Sequence, residues 1–374
     1  MLPYGRQSID DSDVEAVVAA LRSDWLTTGP QVDAFEADLA GWTGGVPCVA
    51  VSNGTAALHV AYAAAGIGPG DEVVTSPMTF VATASTAAMQ GGRIMFADVE
   101  EDTANLDAAS VASVVSSRTR VVAAVDYAGH PVEYDDLRKV ARDAGALLLA
   151  DAAHAIGSTY RDQPVGSLAD LTTFSFFPTK NLTTAEGGAV ATADPGLRER
   201  ARRFRTIGLV RDRAAQRYPD EGGWHQEVHE YGLNYRLPDL LCALGRSQLR
   251  RLPAFKARRA ELVRRYHALL ADVPGLRLPV QRSWVDPVWH LYAVRVLDGR
   301  RREVYERMRA AGVGVQVNYI PVYWHPVFED LGYQRGMCPN AEAFYAEELS
   351  LPLFPDLTDA DQDRVVEALR AILT

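Results

Sequence analysis

Residues 146–154 read ALLLADAAH, an apolar run that ends on Asp151 and is followed three residues later by His154. Apolar residues without alternation fit a strand covered on both faces, as in a parallel sheet. A carboxylate at the carboxyl end of such a strand stands where open α/β sheets bind their ligands, although an aspartate there can also simply cap the next turn. The flanking sequence keeps the same rhythm. Upstream, β-rich runs at 48–52, 72–75, 93–98 and 120–125 alternate with helical stretches at 55–65, 79–89 and 133–143. This predicts an α/β fold with a mainly parallel central sheet carrying helices on both faces. Downstream come shorter strands at 172–176 and 188–192, then an arginine-rich helix.

A chain of 374 residues exceeds what one core usually organises, so a large and a smaller domain are expected. A long amphipathic stretch from Pro238 to about Leu270 leads out of the first, giving 1–245 as the large domain and 246–374 as a smaller α+β C-terminal domain. In the second, 289–296 and 313–317 read as strands, and 302–311, 340–349 and 358–372 as helices. The balance of 38 Lys+Arg against 48 Asp+Glu argues against a nucleic-acid partner. Cys48, Cys242 and Cys338 are too far apart for a disulfide framework or a Cys-x-x-Cys metal site, which suits a reducing compartment. No apolar run approaches the ~18 residues of a membrane span, and the start, MLPYGRQSIDD, does not read as a secretory signal. The expectation is a cytoplasmic protein without a membrane partner.

Chemistry first shows at Ser52-Asn53-Gly54-Thr55, where a buried strand gives way to a helix. Free amides at a helix N-terminus suit a phosphate and Gly54 permits close approach, while Ser52, Asn53 or Thr55 could instead only cap the helix. A second glycine cluster, Gly66 to Gly70, follows a helix and precedes a strand, the reverse of the order a dinucleotide-binding fingerprint needs. It reads as a turn, which disfavours a nicotinamide dehydrogenase. Lys180 stands in FSFFPTKNLTTAEGG, residues 174–188, with apolar residues before it and a Gly-Gly turn after it. Such a lysine is either a snorkelling surface residue or a buried amine fit to form a Schiff base. Phosphate cradle, strand-end aspartate and lysine, in that order on one α/β domain, are the three contacts that pyridoxal 5′-phosphate needs.

With those residues in view, the chain resembles the DegT family of nucleotide-sugar aminotransferases, within the type I fold of pyridoxal-phosphate enzymes typified by aspartate aminotransferase. The likeness covers nearly the whole chain. Gly29-Pro30 with Phe35-Glu36, residues 52–58, Gly70-Asp71-Glu72-Val73, residues 151–154, the lysine segment, Gly232-Leu233-Asn234-Tyr235-Arg236-Leu237 and Cys338-Pro339-Asn340-Ala341-Glu342 all match. The resemblance implies that Lys180 is the Schiff-base lysine and later the base that moves the proton. Asp151 would pair with the pyridinium and His154, where relatives often carry Gln, would lie near the phenolic oxygen. Phe80 would cover the ring face, unless it is an ordinary core phenylalanine. Gly54, Thr55 and Ser175 would hold the phosphate. Asn234 would reach a neighbouring subunit's cofactor, implying a homodimer with shared active sites.

The reaction implied is a ping-pong transamination: L-glutamate gives up its amino group and leaves as 2-oxoglutarate, and a keto sugar on a nucleoside diphosphate takes the nitrogen. The segment Thr183-Thr184-Ala185-Glu186 looks like members that act at C4 of a 4-keto-6-deoxyhexose, with amination at C3 as the alternative. Where relatives read His-Tyr-x-Pro-x-His, this chain has Asn318-Tyr319-Ile320-Pro321-Val322-Tyr323-Trp324-His325, so Tyr319, Tyr323 and His325 are the sugar-side candidates of that segment. Arg205 and Arg211, from an arginine cluster in an otherwise acidic chain, are candidates for the anionic substrates. His225 and His229 lie at i and i+4 but lack a third ligand, so no metal is expected. A catalytically silent regulatory homologue and a sugar dehydratase share the fold; Lys180, replaced by histidine in the dehydratases, counts against both.

Overall fold

In the computed structural model, which describes residues 1–374, seven strands form one sheet: β1 (Cys48–Val51), β2 (Glu72–Thr75), β3 (Arg93–Phe96), β4 (Thr119–Val125), β5 (Leu147–Asp151), β6 (Leu171–Ser175) and β7 (Gly188–Ala191). Their spatial order is β1-β7-β6-β5-β4-β2-β3. β7 runs antiparallel to both its neighbours, β1 and β6; every other pairing is parallel. Successive side chains of a strand point to opposite faces. Val49, Val51, Val73, Leu149 and Val190 therefore enter one core with the helix Gly54–Ala65. Cys48, Ala50, Val74, Leu148, Ala150 and Ala189 enter the other. Both faces are buried, which is why these strands read as unbroken apolar runs. The same alternation puts Asp151 on the face of Leu149, toward the helices Gly54–Ala65 and Ala82–Met89.

A second, antiparallel sheet is built from β8 (Leu276–Arg277), β9 (Tyr292–Val296) and β10 (Glu348–Leu351), in that order. Its core gathers Val294 and Leu351 with Leu262, Val304 and Leu369 from the helices Asp239–Leu270, Arg301–Ala310 and Asp359–Leu373. The helix Asp239–Leu270 runs without a break through position 245. Its first turns pack on the helices Asp11–Leu21 and Pro30–Trp42, and its later turns join the second core, so one rod ties the two layers together.

Three local expectations change. The helix expected from Thr79 begins at Ala82, leaving Thr79, Phe80 and Val81 as a corner that turns Phe80 outward. Residues 313–317 form no strand; they make only isolated bridges from Val313 to Leu2 and from Gln316 to Ser350. The helix expected over 340–349 is Pro339–Glu347, and the chain turns extended at Glu348 because β10 pairs with β9. No helix is long and apolar enough to cross a membrane.

Candidate active site

The carboxyl ends of β5 and β6 and the N-terminus of the helix Gly54–Ala65 open into a cavity of about 730 Å³. Gly54, Thr55, Phe80, Asp151, His154, Ser175 and Lys180, seven residues singled out in the sequence, all line it. Tyr319 lines it from the opposite side, within a wall formed by residues 316–320.

Each of these positions has a local cause. Asn53 caps the helix by accepting from the Ala56 amide at 2.8 Å, so the capping reading holds for that residue. The amides of Gly54 and Thr55, one and two residues on, make no hydrogen bond within the chain and remain available for an anion. A Cβ on Gly54 would stand 2.7 Å from the Ser175 Cβ, so only glycine lets the helix start this close to β6. Phe80 is 58% exposed at the cavity, which removes the core-phenylalanine alternative. Its ring meets Tyr319 edge-on, with centroids 6.2 Å apart.

Asp151 is buried and receives two hydrogen bonds, from the Thr83 hydroxyl at 2.6 Å and from the Ala153 amide at 3.2 Å. Burial raises its pKa, while the Thr83 bond, the Ala153 amide and the Lys180 charge oppose that rise. Lys180 makes no side-chain hydrogen bond, and burial lowers its amine to about 8 against a weaker pull from Asp151. His154 is buried and held well below its ordinary range by burial, with Lys180 adding to the effect. Its Nε2 lies 3.1 Å from the Tyr319 hydroxyl, and its Nδ1 has no partner. The arrangement therefore offers an unpaired amine of lowered pKa, a hydrogen-bonded carboxylate and a helix N-terminus around one cavity. Those are the attachments for the aldehyde, ring nitrogen and phosphate of pyridoxal phosphate, and the residues fit that cofactor.

Other candidates fall elsewhere. Arg205 donates to Glu36 at 2.6 Å and to the Ala50 carbonyl at 2.8 Å, binding its own helix to β1. With Arg211 it lines a separate cavity of about 390 Å³ beside Gly29 and Arg236, not the one at Lys180. Tyr323 is buried against Phe96, its hydroxyl donating to Glu342 at 2.6 Å, and it does not reach the cavity. His325 stands at the N-terminal end of the short helix Pro326–Glu329, outside the cavity. Asn234 is exposed and bridges Thr206; it lines no part of its own chain's cavity. His225 and His229 are not helical: both imidazoles turn onto Glu227 in a two-stranded ribbon. No cluster of three or more His, Cys, Asp or Glu is placed to hold a metal ion.

The sequence reading missed three residues. Thr83 supplies the Asp151 bond, and a threonine inside a helix carries no signal of it. His290 lines the cavity with its ring centroid 4.2 Å from that of His154, a contact between distant segments. Glu348 lies beneath the 316–320 wall, bonded to Asn318.

The chain matches the model of the DegT/DnrJ/EryC1/StrS aminotransferase family over residues 7–370. It is 39% identical to the spore coat polysaccharide biosynthesis protein SpsC of Bacillus subtilis, over 100% of this chain and 97% of that protein. Among solved structures it superposes on the Streptococcus pneumoniae chain Spr1654 in its PMP form with a TM-score of 0.93 and 30% identity, covering 100% of this chain and 99% of that one. The PLP form of that chain superposes equally well, at 0.93. Helicobacter pylori PseC, an aminotransferase involved in the biosynthesis of pseudoaminic acid, gives a TM-score of 0.92 and 29% identity over 100% of this chain and 99% of its own. With fold, cavity and likeness in agreement, this chain belongs to the DegT/DnrJ/EryC1/StrS aminotransferase family and is a pyridoxal-phosphate-dependent sugar aminotransferase.

Proposed function

We propose that the protein moves the amino group of L-glutamate to a keto sugar carried on a nucleoside diphosphate, at C4 of a 4-keto-6-deoxyhexose. The observation that carries this reading is the placement of Lys180 and Asp151 on one cavity, with the free Gly54 and Thr55 amides at its rim. Pyridoxal phosphate, when bound, supplies an electron-accepting ring that stabilises negative charge on the substrate carbon. Lys180 would hold the cofactor through Nζ, and its amine is the base that would move a proton on and off that carbon. An amine near 8 is unprotonated in about a tenth of molecules at pH 7, against a negligible share for an ordinary lysine. Asp151 would hold the ring nitrogen's proton; the Thr83 and Ala153 donors and the Lys180 charge favour its charged form against the burial that raises its pKa. Ser175 and the free amides of Gly54 and Thr55 would bind the phosphate. Phe80 would cover one ring face, and His154 would orient the ring from the side of Tyr319.

The resemblance of residues 183–188 to members acting at C4 supports that position. A homodimer with shared sites is supported by the exposure of Asn234 and by the ribbon that precedes it, where Trp224 is 82% and Tyr231 99% exposed. Large aromatics so placed mark an interaction surface, which in this reading a second copy would cover. The test is a panel of dTDP-, UDP- and GDP-linked 4-keto and 3-keto sugars with glutamate, followed by NMR of the product. Nitrogen at C4 is the expected result; amination at C3, or of none of the panel, overturns the reading. Sedimentation that finds only monomers overturns the shared site.

A further inference from the structure

The wall at 316–320 has no regular secondary structure, yet it carries Asn318 and Tyr319 to the cavity. What holds it is Glu348, at the start of β10, with no exposed surface. One carboxylate oxygen accepts from the Asn318 amide at 2.6 Å. The other accepts from the Ser350 hydroxyl at 2.6 Å, and Ser350 Oγ in turn accepts from Asn318 Nδ2 at 3.1 Å. The Tyr127 hydroxyl donates to the Asn318 carbonyl, so both main-chain polar groups of this one residue are anchored. No salt bridge reaches Glu348. Burial pushes its carboxyl up to about 8, against the Ser350 and Asn318 bonds and a weak pull from Arg301. A core position needing only packing would be better filled by an apolar side chain, since an unpaired buried carboxyl is costly.

We propose that Glu348 is a positioning residue for the keto-sugar substrate: by gripping Asn318 it fixes the wall from which Asn318 and Tyr319 face the cavity. This rests on the sugar aminotransferase reading above, in which the sheet edge takes the cofactor and the opposite wall is left to the sugar. Tyr319 reaches across to His154 at 3.1 Å, so a wall that slips also changes what His154 presents. The residue acts through Asn318 and touches no reacting atom.

Glu348→Gln keeps an acceptor for the Asn318 amide and offers a donor to Ser350; Glu348→Ala offers neither. With the keto sugar from the panel above that wild type turns over best, Glu348→Ala raises KM about tenfold, while kcat stays within about threefold. The absorbance change on adding glutamate alone is unaltered, and Glu348→Gln behaves as wild type. In the cofactor-free protein, amide hydrogen exchange at 316–320 speeds up in the alanine variant and not in the glutamine one. Should the alanine variant not fold, Glu348→Met, which fills the space without accepting a hydrogen bond, carries the same expectations. An unchanged KM, an equal loss in the glutamate step, or a glutamine variant as impaired as alanine overturns the proposal. If wild type aminates no keto sugar, the functional reading fails, and hydrogen exchange alone decides whether Glu348 holds the wall.

Discussion

The two sides of the Lys180 cavity are built differently. On one side, Asp151 and Ser175 end strands β5 and β6 of the seven-stranded sheet, with Gly54 opening the helix that packs against β6. Each stands where it does because a buried strand stops there, and the sheet hydrogen bonds fix the spacing. On the other side, Asn318 and Tyr319 belong to no strand or helix, and side chains such as Glu348 and Ser350 hold them. The first side has a geometry that any sequence of the right pattern reproduces. The second has one that depends on a few hydrogen bonds, so it can change between relatives without disturbing the fold. In the function proposed above, cofactor chemistry falls to the rigid side and the substrate to the adjustable one.

That division sets the order of expected effects. Lys180→Ala removes the amine on the rigid side and leaves the cavity otherwise intact. The measured rate of amino transfer should fall by at least about a thousandfold, and the absorbance shift on adding glutamate should vanish. A variant that still shows the shift would falsify the assignment of the lysine. Asp151→Asn comes next. Asparagine keeps one acceptor oxygen, for the Ala153 amide, and turns its NH2 to the Thr83 hydroxyl, which can donate to the Phe80 carbonyl instead, so the protein folds; but it cannot hold a proton on the ring nitrogen. Turnover should drop about a hundredfold or more with the thermal midpoint little changed. A variant that keeps the wild-type rate removes Asp151 from the chemistry.

The same division explains what the sequence made legible. Residues 48–58, 146–154 and 174–188 each carry an apolar run with a polar terminus, and the rule that ligands gather at the carboxyl edge of a parallel sheet converts that pattern into a site. Boundaries of those strands came within a residue or two of the structure, because burial on both faces leaves no alternation to misread. Residues 313–317 failed for the opposite reason. Their valines satisfy a strand pattern, but they fill the core under the wall while the backbone is claimed by Leu2 and Ser350. The family motif points to Tyr323 and His325, yet just past Pro321 the chain buries Tyr323 in the core, and half-buried His325 leads into the helix Pro326–Glu329, away from the cavity. Thr83, His290 and Glu348 could not be read at all. Their importance lies in which distant atom each touches, and no local pattern encodes that.

A pH measurement sharpens the rigid side further. Only the uncharged amine of Lys180 can attack an aldehyde, and burial has lowered it from 10.5 to about 8. The free fraction therefore climbs from about a tenth at pH 7 to about nine tenths at pH 9. The initial rate at which added pyridoxal phosphate loads onto the cofactor-free protein should rise about tenfold across that range and then level off. A rate still rising steeply through pH 10 would mean an ordinary solvated lysine.

The smallest effect belongs to the junction of the two sides. Tyr319→Phe deletes the hydroxyl that meets His154 Nε2 at 3.1 Å while keeping the ring against Phe80. His154 Nδ1 already lacks a partner, so the variant leaves both nitrogens of a buried, neutral imidazole without one inside the chain. A neutral hydrogen bond contributes about 1 kcal/mol net, or roughly fivefold in an equilibrium constant. The KM for the keto sugar should rise by about that factor, with the loading rate of the cofactor unchanged because Lys180 and Asp151 do not move. A change in loading as large as the change in KM would show that the two sides are one mechanical unit. The contrast between a fixed cofactor edge and an adjustable substrate wall would then lose its basis.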